Sequence, residues 1–322
     1  MMNRLVSFDY IRVISILGIV LCHCCYGITG MSFLGRFLGL TFNVVFLILS
    51  AFLLGLSWEK NQCKEYTKSF IFHRVSKLAY SYYPFIIIMF VFLYMTGYHV
   101  TINDWIMHLF FLPWFDKLPG FGHLWFVTMI VICYMGVYII SKFKYEILRR
   151  IIFSGIIFAL LSQIILGIIG VPNYLFLYLI LYLLAFLNAR SILEWINRIH
   201  IKTMMIVCCI VVPMVISLFY LELTNKYTSV WGGLICAIII LGLLNKLFST
   251  VKENRFVSFI STISFEIYLV HHVFCFGNYS VFQIIGNPIL GIIVIFLISV
   301  LLAYFLHSIN GKINAYVMYK LR

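Results

Sequence analysis

The chain has 322 residues, of which 64% are apolar and only 10% are charged, and its formal net charge is +13. A soluble domain carries about 25% charged residues, so this chain lacks the polar side chains needed to cover a water-facing surface. The composition excludes an ordinary soluble protein. It favours an all-α integral membrane protein, a bundle of about ten transmembrane helices.

The positive charge does not indicate nucleic-acid binding. The basic residues fall in short groups between apolar segments and form no continuous basic stripe. We therefore expect membrane lipid to be a partner of the chain, and we expect no nucleic-acid partner.

Apolar segments long enough to cross the bilayer follow one another along the chain. A spanning helix needs about 20 such residues. We expect residues 1–322 to form a single transmembrane domain, because no internal repeat or separate polar segment interrupts the pattern. The first span has no small-residue cleavage site, so we expect it to be retained rather than removed as a signal peptide. The predicted spans are 8–28, 33–57, 80–98, 123–141, 151–170, 172–188, 203–221, 230–247, 256–277 and 286–307.

Basic residues concentrate in alternate loops, and the positive-inside rule places those loops in the cytoplasm. The alternation predicts an even number of spans with both termini cytoplasmic, in a multi-pass protein of a membrane that we expect to be the bacterial plasma membrane. The outward side has only Arg36, Lys117 and Lys226. The cytoplasmic side has Arg4, Lys60, Lys64, Lys68, Arg74, Lys77, Lys142, Lys144, Arg149, Arg150, Arg190, Arg198, Lys202, Lys246, Lys252, Arg255, Lys312, Lys320 and Arg322.

The first span contains three ionisable residues, Asp9, Arg12 and His23. Such residues are costly inside a membrane and point to function. Arg12 and His23 are eleven positions apart, which places them within roughly 20° of one helical face. Asp9 lies within reach of Arg12 on the same stripe. The alternative is an interfacial Asp9–Arg12 ion pair with His23 as a hydrogen-bonded core residue.

Polar residues also mark the second and third spans. Asn43, Ser50 and Ser57 follow heptad spacing, which more often indicates hydrogen bonding between helices than a binding surface. The segment 72–77, which contains His73, Arg74 and Lys77, opens the third helix; by itself it obeys the positive-inside rule.

The loop 99–122 and the ninth span are the remaining unusual segments. Apolar residues at helical spacing between Ile102 and Phe110 predict an interfacial or re-entrant helix. In the ninth span, Ser261, Ser264, Tyr268 and His271 share one face, with His272 beside them. On a helix, Glu266 points about 140° away from His271. Its carboxylate could either pair with another helix or take part in the chemistry.

The nine cysteines do not indicate a metal site or disulfides. Most lie in apolar segments, where a thiol behaves as a small hydrophobe. Neighbouring side chains of Cys22-His23-Cys24-Cys25 point about 100° apart on a helix, so they cannot converge on one ion. We expect no metal.

Five segments together resemble the acyltransferase-3 family of integral membrane O-acyltransferases. They occur in family order between residues 9 and 271. The segments are Asp9-Tyr10-Ile11-Arg12 followed by His23, Val45 to Leu53 (VFLILSAFL), Arg74-Val75-Ser76-Lys77, His123-Leu124-Trp125-Phe126, and Ile267-Tyr268-Leu269-Val270-His271.

The chain departs from the family pattern at three places. Ala51 stands where glycine is usual, Lys77 where a second arginine is usual, and Met129 in the region where a glutamate is common. Lysine can neutralise a phosphate but cannot form the bidentate contact of arginine. The hydrolase-like domain fused to some relatives is not expected here.

The resemblance implies transfer of an acyl group, by family habit acetyl, from cytoplasmic acyl-CoA to a hydroxyl of a cell-surface carbohydrate or a lipid-linked glycan. It implies that His23 is the catalytic base, with Asp9 orienting Arg12. Arg12, His73, Arg74 and Lys77 would bind acyl-CoA, the only co-substrate expected. Trp125, His123, Tyr268, His271, Asn43 and Ser50 would bind the acceptor.

Several alternatives stay open at this point. The donor group could be succinyl, and an acyl-histidine could precede transfer to the acceptor. A transporter or flippase of a glycan intermediate is the alternative from another functional class, although neither a repeat nor a path of intramembrane acids supports it. A third alternative is a sensory or binding module that keeps the fold without catalysis.

Overall fold

A computed structural model describes residues 6–61, 66, 68–115, 118–143, 154–155, 158, 161, 174–224, 226–276 and 279–320. The regular structure of this part of the chain is entirely helical. The helices are α1 (Val6–Gly27), α2 (Ser32–Lys60), α3 (Lys68–Met95), α4 (Ile102–Leu109), α5 (Trp125–Ile140), α6 (Tyr174–Leu187), α7 (Ala189–Arg198), α8 (Ile201–Tyr220), α9 (Lys226–Phe248), α10 (Arg255–Thr262), α11 (Ser264–Val270), α12 (Val281–Ile284) and α13 (Pro288–Lys320), with 3₁₀ turns at Pro113–Phe115, Gly122–Leu124 and His271–Phe274.

The prediction of an all-helical membrane protein is confirmed. Within the described residues, seven helices are long and apolar enough to cross a membrane, and the number is nine if each of two bent helix pairs counts as one span. These nine match nine predicted spans. The tenth, 151–170, lies almost wholly outside the described residues, as do Arg4, Lys64, Lys117, Lys144, Arg149, Arg150 and Arg322 and the side chains of Lys68, Lys226 and Lys320.

Two helices extend well beyond their predicted spans: α3 begins at Lys68 rather than at residue 80, and α13 ends at Lys320 rather than at residue 307. The apolar pattern marks only the part of a helix that hydrocarbon would surround. The added turns of α3 contain His73, Arg74 and Lys77, so these residues lie in the polar N-terminal part of this helix.

The helices group into two compact units, 1–66 with 135–261 and 67–134 with 262–322. In the first unit α2 is central, since it packs against α1, α6, α7, α8 and α9. In the second unit α3, α11 and α13 pack against one another. The expectation of one domain over residues 1–322 stays a prediction.

The helix predicted in the loop 99–122 is present as α4. Thr101 and Asp104 form a reciprocal capping box at its start, which satisfies backbone donors that a helix leaves open. His108 is its buried residue, while Ile102 and Leu109 are exposed. Trp105 of the same helix packs edge to face on Phe90 of α3, with ring centroids 4.5 Å apart. The His108 Nδ1 lies 2.7 Å from the Tyr82 hydroxyl of α3.

Candidate functional site

The polar start of α1 is joined to α10 through one serine. The Ser261 hydroxyl donates a 2.7 Å hydrogen bond to the Asp9 carboxylate. The same oxygen accepts a 3.2 Å hydrogen bond from Arg12 Nη1. Asp9 and Ser261 are buried and Arg12 is half-buried. A guanidinium is thus held in place by a neutral hydroxyl that a carboxylate in turn orients.

His23 lies on the same helix as this array. Because α1 runs without interruption from Val6 to Gly27, the eleven positions between Arg12 and His23 correspond to about 16 Å along the axis, on nearly the same face. His23 is half-buried. The helix therefore carries a charged end and an imidazole on one stripe, as the sequence predicted.

Two predicted acceptor-binding residues lie on α2. The Asn43 amide donates 2.8 Å to the Gly39 carbonyl oxygen in its own helix. The Ser50 hydroxyl lies 3.1 Å from the hydroxyl of Tyr182 on α6, and Tyr182 is fully buried. Ser50 therefore joins two packed helices, while Asn43 is half-buried.

The basic segment of α3 is at the surface of the second unit. His73 and Lys77 are exposed, and Arg74 is half-buried, with its guanidinium carbon 5.7 Å from the centroid of the Phe70 ring. Arg74 and Lys77 are three positions apart and thus neighbours on the helix. An anionic ligand can reach both side chains.

Three predicted acceptor-binding residues form a buried cluster in the second unit. His123 lies with its ring centroid 5.4 Å from that of His271 and 5.3 Å from that of Tyr268. The Tyr268 hydroxyl donates a hydrogen bond to the His123 carbonyl oxygen. His272 stacks on His123 with centroids 4.4 Å apart and ring planes 13° apart.

The backbone contacts of these histidines define their tautomers. His123 Nε2 lies 3.1 Å from the Leu269 carbonyl oxygen, and His271 Nδ1 lies 3.1 Å from the Ile267 carbonyl oxygen. A carbonyl only accepts, so each of these nitrogens carries a proton. In the neutral rings, Nδ1 of His123 and Nε2 of His271 are the basic nitrogens.

Trp125, the remaining predicted acceptor residue, is half-buried at the start of α5. Its ring meets Trp114 edge to face, with centroids 5.5 Å apart. The backbone N–H of Trp114 donates 3.2 Å to the Thr128 hydroxyl, which ties the 3₁₀ turn to α5. The two indoles present aromatic surface of a kind that can stack on a sugar ring.

Glu266 is buried within the second unit and bonded to two other helices. Its Oε1 accepts a 2.8 Å hydrogen bond from the Ser81 hydroxyl of α3 and lies 3.0 Å from His307 Nδ1 of α13. Asn310 donates to Ser81 at 2.7 Å and to Glu266 at 3.3 Å. Of the two roles left open for Glu266, the contacts support the link between helices.

Comparison with known families gives one match over nearly the whole chain. A family model described as an acyltransferase domain, that of the acyltransferase-3 family, matches residues 5–308. The chain belongs to this family. No curated protein and no solved structure matches it.

This membership makes the protein a membrane acyltransferase. All five resembling segments of the sequence lie inside the matched range. Within this acyltransferase, Ala51 at the position where glycine is usual is completely buried in α2, and Met129 is completely buried in α5. The two departures therefore lie in packed interior, whereas Lys77 is exposed.

Two residues of the acyltransferase were not predicted as site residues. The sequence indicated Ser261 only as one member of the polar face of the ninth span. His272 follows His271 directly, but adjacent helix positions point apart, so its stacking on His123 had no sequence signal. Both histidines lie in the 3₁₀ turn at His271–Phe274 rather than in α11.

Proposed function

We propose that this acyltransferase moves an acyl group, acetyl by family habit, from cytoplasmic acyl-CoA to a hydroxyl of a cell-surface carbohydrate or lipid-linked glycan. The observation that carries the proposal is the α1 stripe, on which Ser261 and Asp9 hold Arg12 while His23 lies further along the same face. A fixed cation suits a phosphate of the donor, and an imidazole suits proton transfer.

In the proposed reaction, His23 takes the proton of the acceptor hydroxyl as its oxygen attacks the thioester carbonyl. The carbon–sulfur bond of the tetrahedral intermediate then breaks, and CoA leaves as a thiolate that receives the proton. An imidazole can both accept and donate a proton, so it can serve in both steps. Asp9 acts through Ser261 and Arg12, which makes it a positioning residue.

Other residues are proposed to bind the donor or the acceptor. Arg74, Lys77 and His73 present accessible cationic or polar groups to an anionic donor. His123, Tyr268 and His271 would contact the acceptor through imidazole and phenol groups. Trp125 would supply an aromatic surface, and Asn43 and Ser50 on α2 would contribute amide and hydroxyl groups. The basic loops support a cytoplasmic donor side.

The test uses the purified protein in detergent with acyl-labelled acetyl-CoA and a mixture of cell-surface glycans. We expect wild type to move label to a glycan, and His23→Ala to bind acetyl-CoA without turnover. His99→Ala removes an exposed histidine and should turn over normally. Normal turnover by His23→Ala would overturn the assignment of the base.

Three further measurements distinguish the alternatives. Label that stays on the protein after rapid quenching, and is absent from His23→Ala, indicates an acyl-histidine intermediate rather than direct transfer. A protein that neither binds acetyl-CoA nor labels glycan, but moves glycan across vesicle membranes, would replace the proposal with transport. Parallel reactions with succinyl-CoA determine the donor group.

A further inference from the structure

The first unit contains an apolar cavity that the proposed reaction does not use. Its volume is about 440 Å³, and α2, α6, α7, α8 and α9 line it. Sites for small organic ligands have volumes of about 300–1,000 Å³, so the cavity can take a substantial part of a ligand. The lining is almost entirely hydrocarbon, with Phe52, Leu184, Ile196 and Met204 among the buried or half-buried residues. It therefore suits an apolar chain.

The cavity has an inner wall and an open side. Ile196, Met204 and Leu241 are buried, whereas Trp195 is 59% exposed and Ile238 is 48% exposed. Because exposed apolar residues of a spanning helix, such as Ile238 of α9, face lipid, the cavity opens sideways towards the bilayer. A chain can enter from the membrane without leaving hydrocarbon.

Positive charges lie next to one end of the cavity. Helix α7 turns 78° away from α6 at the break before Ala189, and its last residue is Arg198. Lys202 follows in the first turn of α8. Both side chains are exposed. Arg198 directly precedes Ile199 and Lys202 directly precedes Thr203, and both Ile199 and Thr203 line the cavity.

The other charged groups of this end have protein contacts or lie on the exposed side of α7. Arg190 pairs with Glu59 at 2.9 Å, and Lys246 donates 2.5 Å to the Asn197 carbonyl oxygen. Glu194 is exposed on α7 and His200 precedes α8. The rim of the cavity is therefore cationic, with Arg198 and Lys202 accessible to a ligand.

We propose that the cavity binds one acyl chain of an anionic phospholipid, whose phosphate contacts Arg198 and Lys202. Basic pockets between spanning helices on the cytoplasmic side are suited to anionic headgroups, and that leaflet carries the negative lipids. The segment from Arg190 to Lys202, which contains α7, is on the predicted cytoplasmic side. The hydrocarbon cavity suits the acyl chain and the cationic rim suits the phosphate, so together they favour an amphiphile with a negatively charged head.

The test compares phosphatidylglycerol with phosphatidylcholine of the same acyl chains. The purified full chain is equilibrated with each lipid in detergent, and bound lipid is counted by native mass spectrometry. We expect wild type to retain phosphatidylglycerol with about tenfold higher affinity, since each basic residue near an anionic surface contributes favourably. Arg198→Gln with Lys202→Gln should abolish the difference between the two lipids.

Two more variants complete the test. Lys252→Gln with Arg255→Gln removes the same charge from exposed positions that do not line the cavity, and it should keep the preference. Val207→Trp adds volume at a lining residue and should reduce retention of both lipids. Equal retention of the two lipids by wild type, loss of preference in the control pair, or full retention by Val207→Trp would each overturn the proposal.

The readout does not require acyl transfer, so the lipid site and the proposed function can fail separately. Melting temperature measured for every variant in the same detergent identifies loss of folding. If Val207→Trp unfolds, Thr203→Leu enlarges another lining residue and takes its place in the same comparison.

Discussion

Ser261 and Asp9 are 252 positions apart in the chain, yet the Ser261 hydroxyl donates a 2.7 Å hydrogen bond to the Asp9 carboxylate. The same hydroxyl accepts from Arg12, so its two roles fix its orientation. The Ser261 side chain thus joins α10 to the charged end of α1. The arrangement explains how a membrane protein holds an arginine in a defined position near the polar end of a helix.

Ser261→Ala should destabilise the protein and weaken donor binding. The substitution removes one donor from a buried carboxylate and one acceptor from a guanidinium, a loss of about 1–3 kcal/mol in the free energy of unfolding. Thermal unfolding in detergent measures the first effect, and acetyl-CoA titration the second. Ser249→Ala is the control, because its exposed hydroxyl bonds only within its own turn, to the Lys246 carbonyl oxygen. Equal stability of the two variants would contradict the prediction.

Lys77→Arg should bind acetyl-CoA more tightly than wild type. Arginine can contact a phosphate with two parallel charge-assisted hydrogen bonds, whereas lysine binds as a point charge. We expect a gain of a few fold, and for Arg74→Gln a loss of about tenfold, both smaller at high salt. Titration at two ionic strengths measures these affinities.

The control for this charge series is Lys312→Gln, which removes an exposed cation from α13. It should leave the affinity for acetyl-CoA close to that of wild type. If Lys312→Gln weakens binding as much as Arg74→Gln does, the donor responds to net charge and not to the residues of α3.

Gly55→Ala should destabilise the first unit by about 1–3 kcal/mol, the usual result of overpacking. A Cβ at Gly55 would overlap the Phe186 carbonyl oxygen and come within 2.9 Å of the Ala189 Cβ. These atoms belong to the junction of α6 and α7, where backbone cannot move aside as a flexible side chain can. Thermal melting of the variant gives the comparison.

Gly311→Ala is the matched change in an open environment. Nothing lies within 4 Å of a Cβ at this position of α13, and alanine favours a helix by up to about 1 kcal/mol over glycine. We expect equal or higher stability. A melting temperature of Gly55→Ala as high as that of Gly311→Ala would show that α2 and α6 are not tightly packed.

The sequence was sufficient for the spans and for the stripe on α1, because both depend on local periodicity. Hydropathy located nine spans within a few residues at most ends, and the eleven-residue spacing of Arg12 and His23 needed only a continuous helix. The start of α3 at Lys68 and the end of α13 at Lys320 were missed, since a helix continues beyond the apolar part that hydropathy detects.

Contacts between distant residues were not predictable. Nothing in the spacing of Ser261 indicated that it would meet Asp9 rather than remain in its own helix. The apolar face of α4 predicted a helix, yet its buried residue is His108, whose Nδ1 lies 2.7 Å from the Tyr82 hydroxyl. A buried polar group depends on which partner the packing supplies, and a single sequence does not contain that pairing.

Glu266→Ala should be the most destabilising change in the second unit. The Glu266 carboxylate is buried and serves Ser81, His307 and Asn310 from two other helices. Removing one member of such a buried charged network costs about 3–5 kcal/mol, because the remaining polar groups lose their partner.

Glu266→Gln tests whether this cost comes from the hydrogen bonds or from the charge. Glutamine keeps one acceptor oxygen for the Ser81 hydroxyl, so we expect a smaller loss of about 1–2 kcal/mol. Glu194→Ala on the exposed face of α7 should change stability by less than about 0.5 kcal/mol. Thermal unfolding of the three variants in one detergent ranks them. If Glu266→Gln is as unstable as Glu266→Ala, the negative charge rather than the acceptor oxygen holds α3, α11 and α13 together.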